Sequence, residues 1–161
     1  MKVAFLVRGD DWGELPFYFN LSHAVGKGYP HAPPDDVGFV QFCFAAIAAS
    51  ADVTTPANLK TAWSKVHVTG RMDQETQDGI DVWQTDRRNR FGPSFEVDGI
   101  FSAVPPGVRT NYARETPYAI VSINYVLLNA TPSIWPRLDK HALAGPVAAA
   151  MRAALSSILT A

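Results

Sequence analysis

Twelve prolines and eleven glycines fall in clusters along this chain of 161 residues, and those clusters limit how far any regular element can run. Proline lacks a backbone donor and is tolerated in a helix only in the first turn, while the residue before it is pushed toward extended backbone. Pro33-Pro34, Gly92-Pro93, Pro105-Pro106-Gly107, Pro132 and Pro136 are therefore boundaries. Between them, apolar residues recur mostly at helical spacing, which predicts several short helices rather than one extended sheet.

After Pro33-Pro34 the acidic pair Asp35 and Asp36 is suited to capping a helix and to its positive end, and Val37, Val40, Gln41, Phe44 and Ile47 predict a helix to about residue 49. Phe39, Phe42 and Cys43 widen its apolar stripe, so this helix is expected to be buried on more than one side. A shorter helix is expected over residues 58–66, with Leu59, Ala62, Trp63 and Val66 inward. Asp73 is placed to cap a third, from about 74 to 88, in which Thr76, Ile80 and Trp83 share a face and Glu75, Gln77, Asp78, Asp81 and Asp86 face water. Arg87, Arg88 and Arg90 complement its dipole, and Gly92-Pro93 ends it. Thr116-Pro117 opens a fourth helix with Ile120, Ile123, Asn124, Leu127 and Leu128 inward, although its β-branched content leaves a strand as the alternative. Residues 146–159 form an Ala-rich amphipathic helix through Val147, Met151, Leu155, Ile158 and Leu159. At the other end, residues 1–7 read as a short strand before a Gly9-Asp10-Asp11 turn. Residues 15–21 read as an extended aromatic segment lying on the core, and residues 26–34 as a loop.

Composition removes several functions. Fourteen Lys and Arg against fifteen Asp and Glu give a net charge of −1, which disfavours nucleic acid or an anionic membrane as a partner held by charge. No apolar run approaches the roughly 20 residues of a membrane helix. The first ten residues are too short in apolar content for a classical signal peptide, so synthesis in the cytoplasm is expected. The single cysteine, Cys43, excludes an intramolecular disulfide and sits among phenylalanines, where a thiol is a core residue. His23, His31, His67 and His141 are scattered without metal-ligand spacing, so no metal and no cofactor is expected. There is no Gly-x-Ser-x-Gly elbow, and Gly26-Lys27-Gly28 lacks the rest of a phosphate loop. Paired carboxylates for a hydrolase are not legible in one dimension, but most acids here have duties as caps, turns or a solvated face. A wall hydrolase is the third reading, and the chain is expected to be non-enzymatic.

One constellation rises above this background. Val68-Thr69-Gly70 precedes the third helix, Thr76, Gly79-Ile80 and Trp83-Gln84 lie along it, and Val97-Asp98-Gly99-Ile100-Phe101 follows. Each Gly permits a backbone conformation that a side chain obstructs, the flanking apolar residues dock the turn on the core, and Thr76 and Gln84 can hydrogen-bond loop backbone. Together with Val40-Gln41 and Phe44 in the first helix, this order resembles the peptidoglycan-binding-domain-like family over residues 35–101, with residues 117–128 as a third helix. Thr69 stands where that family usually has Asp, Gly79 where it usually has Ala, and residues 51–67 and 102–116 make longer loops. Ser22 through Gly28, followed by Pro34-Asp35-Asp36-Val37 and Val40-Gln41, also looks like proteins encoded with bacteriophage tails and related secretion particles.

The resemblance implies a mainly α fold: a compact three-helix core over residues 35–130, an extended N-terminal arm over 1–34, and a Pro-rich linker with a further helix over 131–161. It implies a non-enzymatic module that binds peptidoglycan glycan or stem peptide through a shallow polar groove. Sugar faces stack on aromatic rings while directed hydrogen bonds fix hydroxyls and amides, so Trp83, Arg87, Asp98 and Asn111, near the two turns, are the expected ligand contacts. Trp83 shares the stripe of Ile80, which favours a core position over a ligand contact, and Arg87 and Arg88 suit a solvated helix end favourable to the dipole better than a ligand contact. The alternative function is a structural subunit of a virion or secretion particle, using the apolar terminal arms to clasp neighbouring subunits.

Overall fold

The computed structural model describes residues 1–5, 17–108 and 118–159. The turn at Gly9-Asp10-Asp11, the Thr116-Pro117 helix opening and Asn111 lie outside the described residues. The fold is mainly α, with two small antiparallel ribbons. In chain order the elements are β1 (Lys2–Phe5), β2 (Phe17–Asn20), β3 (Val25–Gly26), α1 (Pro34–Ala49), α2 (Ala57–Trp63), α3 (Gln74–Phe91), β4 (Ile100–Phe101), α4 (Ala119–Ala130) and α5 (Ala148–Leu159). Two single 3-10 turns, Leu138–Lys140 and Gly145–Val147, lead into α5.

The helix with no polar face is the centre of the molecule. α1 is buried from Asp36 through Phe44 and again at Ala46 and Ile47, and it touches α2, α3 and α4. Its start corrects the sequence reading, because neither Asp35 nor Asp36 caps it. Pro33 holds the cap position and Pro34 fills the first turn, where a missing N–H costs nothing. Asp36 is instead fully buried, with its oxygens accepting the backbone N–H of Ser22 at 3.0 Å and of His23 at 2.9 Å and lying 2.7 Å from the Met1 ammonium. An ionised carboxylate withdrawn from water is tolerable only with such partners. Cys43 is fully buried in the same helix, and burial pushes its thiol far above the ordinary range.

The remaining helices follow their apolar spacing. α2 buries Leu59 and Trp63 but ends three residues before Val66, which is buried from the turn beyond. α3 is capped by Asp73, whose carboxylate accepts the Thr76 N–H at 2.8 Å, and it runs on to Phe91 before Gly92 stops it. The expected 88 falls one turn short, because Arg88 and Arg90 are compatible with the helix end and only Gly92 breaks it. α4 is a helix and not a strand: Ile120, Ile123, Asn124 and Leu127 are buried at helical spacing, so tertiary packing decides over β-branched propensity. Leu128, expected inward, is only half-buried.

The aromatic N-terminal segment lies on the core, as expected, but as a strand paired with β1 in the register Lys2↔Asn20 to Phe5↔Phe17. Asn124 of α4 fixes it, accepting the Phe19 N–H and donating to the Phe19 carbonyl, each at 2.9 Å. The loop expected at 26–34 begins with a strand residue, since Val25–Gly26 pairs with Ile100–Phe101. Phe19 and Leu21 from one end of the chain, and Leu138 and Met151 from the other, are fully buried in one apolar cluster with Phe39 and Phe42.

Candidate functional site

Two glutamines organise the connections around α3. Gln41 of α1 accepts the backbone N–H groups of Thr69 and Gly70, each at 2.9 Å, and donates to the Arg71 carbonyl at 2.8 Å and the Thr76 hydroxyl at 2.9 Å. Gln84 of α3 accepts the Gly99 N–H at 2.8 Å and donates to the Ile100 carbonyl at 2.9 Å and to Asp98 at 2.8 Å. Gly70 and Gly99 have φ of 72° and 76°, a region costly for any side chain, so each carboxamide grips a turn that requires glycine. The two bends that bracket α3 are thus held by the same chemistry from opposite helices.

Beyond the second grip, the C-terminal half of α3 faces α4 and the loop before α2 across a cavity of about 360 Å³. From α3 come Trp83, Asp86, Arg87, Arg90 and Phe91, a single face at intervals of three and four residues. Tyr125, Val126 and Asn129 line it from α4, and Thr54, Thr55, Pro56 and Leu59 from the α2 side. The Arg87 guanidinium lies over the Trp83 ring at 4.2 Å and over Phe91 at 5.1 Å. Arg90 bonds Asp86 at 3.0 Å, a pair one helical turn apart. Trp83 is 2% exposed and packs on Trp63 at 5.6 Å between ring centres, yet its indole N–H has no hydrogen-bond partner among the described residues. A buried donor left unpaired is uncommon and costs about 1–3 kcal/mol.

The α2 side of the cavity is a tied loop. Asp52 accepts the Thr54 N–H at 2.9 Å, the Thr54 hydroxyl at 2.8 Å and the Thr55 hydroxyl at 2.8 Å, while Lys60 reaches back to the carbonyls of Ser50 and Asp52. Burial raises the Asp52 carboxyl, but the threonine hydrogen bonds and the Lys60 charge outweigh it and hold the group below the ordinary range.

Of the residues expected to meet a ligand, Trp83 and Arg87 stand together at the cavity. Asp98 does not join them: its carboxylate is taken by Gln84 and by the Ile100 N–H at 2.9 Å, which makes it a turn residue. Asn111 lies outside the described residues. Asp86, Arg90, Phe91, Tyr125 and Asn129 were not singled out from the sequence, although continuing the Trp83 spacing along α3 by three, four, seven and eight positions reaches the first three. Among the described residues no three His, Cys, Asp or Glu side chains converge on a metal position, and no helix is long and apolar enough to cross a membrane. No family model, curated protein or solved structure matches the chain.

Proposed function

We propose that the chain is a non-enzymatic binding module of the peptidoglycan-binding type, engaging cell-wall glycan or stem peptide at the cavity beside Trp83 and Arg87. The observation that carries this reading is the repeated carboxamide grip, Gln41 on Gly70 and Gln84 on Gly99, because it gives a physical reason for the glutamine and glycine positions on which the family resemblance rests. The cavity adds an aromatic wall, a stacked guanidinium and a buried indole donor, a combination suited to holding a small polar ligand. A fold-level likeness alone would not assign a ligand.

Sedimentation with purified insoluble peptidoglycan tests the reading. Retention that falls with Arg87→Ala, at an unchanged melting temperature, is the expected result. Absence of retention together with a large particle by light scattering would replace this reading with that of an assembly subunit. Loss of wall turbidity on incubation would replace it with a hydrolase.

A further inference from the structure

The charge that neutralises Asp36 belongs to the main chain. Asp36 is fully buried in the first turn of α1, and its two oxygens accept the N–H of Ser22 at 3.0 Å and of His23 at 2.9 Å. Those donors solvate the carboxylate but carry no net charge. The Met1 α-ammonium does, 2.7 Å from one of the oxygens, and it also donates to the Ser22 hydroxyl at 2.7 Å. The His23 imidazole stands 3.7 Å from the other oxygen, but its side chain is 68% exposed, where water screens it. No lysine or arginine is ion-paired with Asp36 among the described residues.

An α-ammonium exists only at an unblocked chain end. A formyl or acetyl cap, or a peptide bond to a preceding residue, turns it into an uncharged amide. Position is held as strictly as charge: Met1 packs on the core, and β1 pairs with β2 from Lys2↔Asn20, two residues before Ser22. The amine therefore cannot move along Asp36 without a slip of the ribbon. One added residue would carry an ammonium up to about 3.8 Å away. A buried ion pair that loses one partner leaves a carboxylate that is costly to keep in the interior. A two-stranded ribbon is marginal by itself, so β1 and not the buried α1 is the element that yields.

We infer that Asp36 is a receptor for an unblocked α-ammonium at residue 1, and that acylation of this amine undocks the N-terminal ribbon. The amine is then supplied by amide hydrolysis. Water breaks the C–N bond, its oxygen stays on the acyl carbon, which leaves as a carboxylate, and both its protons end on the nitrogen. The requirement is the same for a formyl cap and for a preceding segment, and it does not depend on what the cavity binds.

The test compares three forms of the full chain: one with an unblocked Met1 amine, released from a cleavable fusion partner, one acetylated at Met1 alone, and one with a single glycine added before Met1. Each is also made as Asp36→Asn. Both blocked or extended forms should melt roughly 5 °C or more below the first. The Ser22 and His23 amide resonances should shift, and exchange should accelerate over β1 and β2 while Phe42 of α1 stays slow. In Asp36→Asn most of the difference in melting temperature should vanish. Equal melting of the three forms overturns the inference, as does full stability of the glycine-extended form or a penalty undiminished in Asp36→Asn. If Asp36→Asn does not fold, the three unaltered forms decide alone: a loss in both altered forms with displaced Ser22 and His23 resonances upholds the inference, and a loss without that displacement overturns it.

Discussion

The side-chain carbonyl of Gln84 accepts the backbone N–H of Gly99 at 2.8 Å across the gap between α3 and the β3–β4 ribbon. Gln41 meets Gly70 in the same way at 2.9 Å, with the difference that Gln41 is fully buried and Gln84 is 7% exposed. Truncating either strands backbone groups that water reaches poorly, at about 1–3 kcal/mol for each buried group left unpaired. Gln41→Ala should therefore lower stability more than Gln84→Ala, and both more than Gln74→Ala, an exposed residue whose side chain bonds its helix neighbour Asp78 and whose loss should fall within about 0.5 kcal/mol of no effect. Urea denaturation midpoints of the three variants give the order. Equal midpoints for Gln41→Ala and Gln74→Ala would deny the grip any role in holding the fold.

Gly26 and Gly99 form a second matched pair. A Cβ built on Gly26 would stand 2.1 Å from the Gly99 carbonyl oxygen, backbone against backbone, with φ at 129°. Gly99 has φ 76°, but its Cβ would chiefly meet the flexible end of Gln77 at 2.9 Å. Gly26→Ala must open the ribbon or break the pairing, whereas Gly99→Val suffers mainly backbone strain, on the order of 1–3 kcal/mol. The expected result is a larger loss of melting temperature for Gly26→Ala despite its smaller side chain. Faster amide exchange at Lys27, whose N–H bonds the Gly99 carbonyl at 2.9 Å, should accompany it.

These contacts show which part of the architecture was legible before coordinates and which was not. Helices α1, α3 and α4 were read from apolar spacing, and the Asp73 cap and the Gly99 turn from local chemistry, because those signals depend on residues close in sequence. The roles of Asp36, Asn124 and Gln41 were not, since each bonds backbone far along the chain: Asn124 reaches Phe19 across 105 positions. The same distinction applies to the cavity. Trp83 and Arg87 share a helix face and were named together, while Tyr125, Asn129 and Thr55 arrive from other elements through packing that no local pattern encodes. Asp98 was assigned to the ligand from its nearness to a turn, although its carboxylate is already engaged within that turn.

Besides Asp52, whose carboxyl is also held low, two groups shape the pH response. Burial holds His141 below its ordinary value of 6.5, and its Nδ1 accepts the Leu143 N–H at 3.1 Å, so the folded state favours the neutral ring. The unfolded chain then binds more protons below about pH 6.5, and stability falls as pH drops through that point. Asp139 is held below the ordinary carboxylate range by its hydrogen bonds from Arg137, at 2.8 Å to each oxygen, against the opposing effect of burial. Its contribution is present above the unfolded carboxylate range and disappears as pH falls through the lower folded value. Melting temperature should decline in two stages on acidification, the first flattened in His141→Gln and the second in Asp139→Asn. A first stage unchanged in His141→Gln would assign it to another group.

Asp52 makes a prediction that separates stability from binding. Its carboxylate ties Thr54 and Thr55, which form the outer wall of the cavity, yet the residue is only half-buried and the Lys60 bonds to the Ser50 and Asp52 carbonyls do not depend on it. Asp52→Ala should therefore cost about 1 kcal/mol or less in global stability, in line with the net worth of solvent-accessible hydrogen bonds. Locally the effect is larger: the Thr54 amide loses its acceptor, and its exchange should accelerate while that of α1 amides such as Phe42 stays slow. A wall no longer fixed must be ordered by the ligand at the moment of binding, so affinity at the cavity should fall more than stability does. Exchange measured residue by residue, set beside sedimentation of the same variant with insoluble peptidoglycan, reads both quantities. A large global loss with unchanged Thr54 exchange would show that Asp52 serves the core and not the cavity wall.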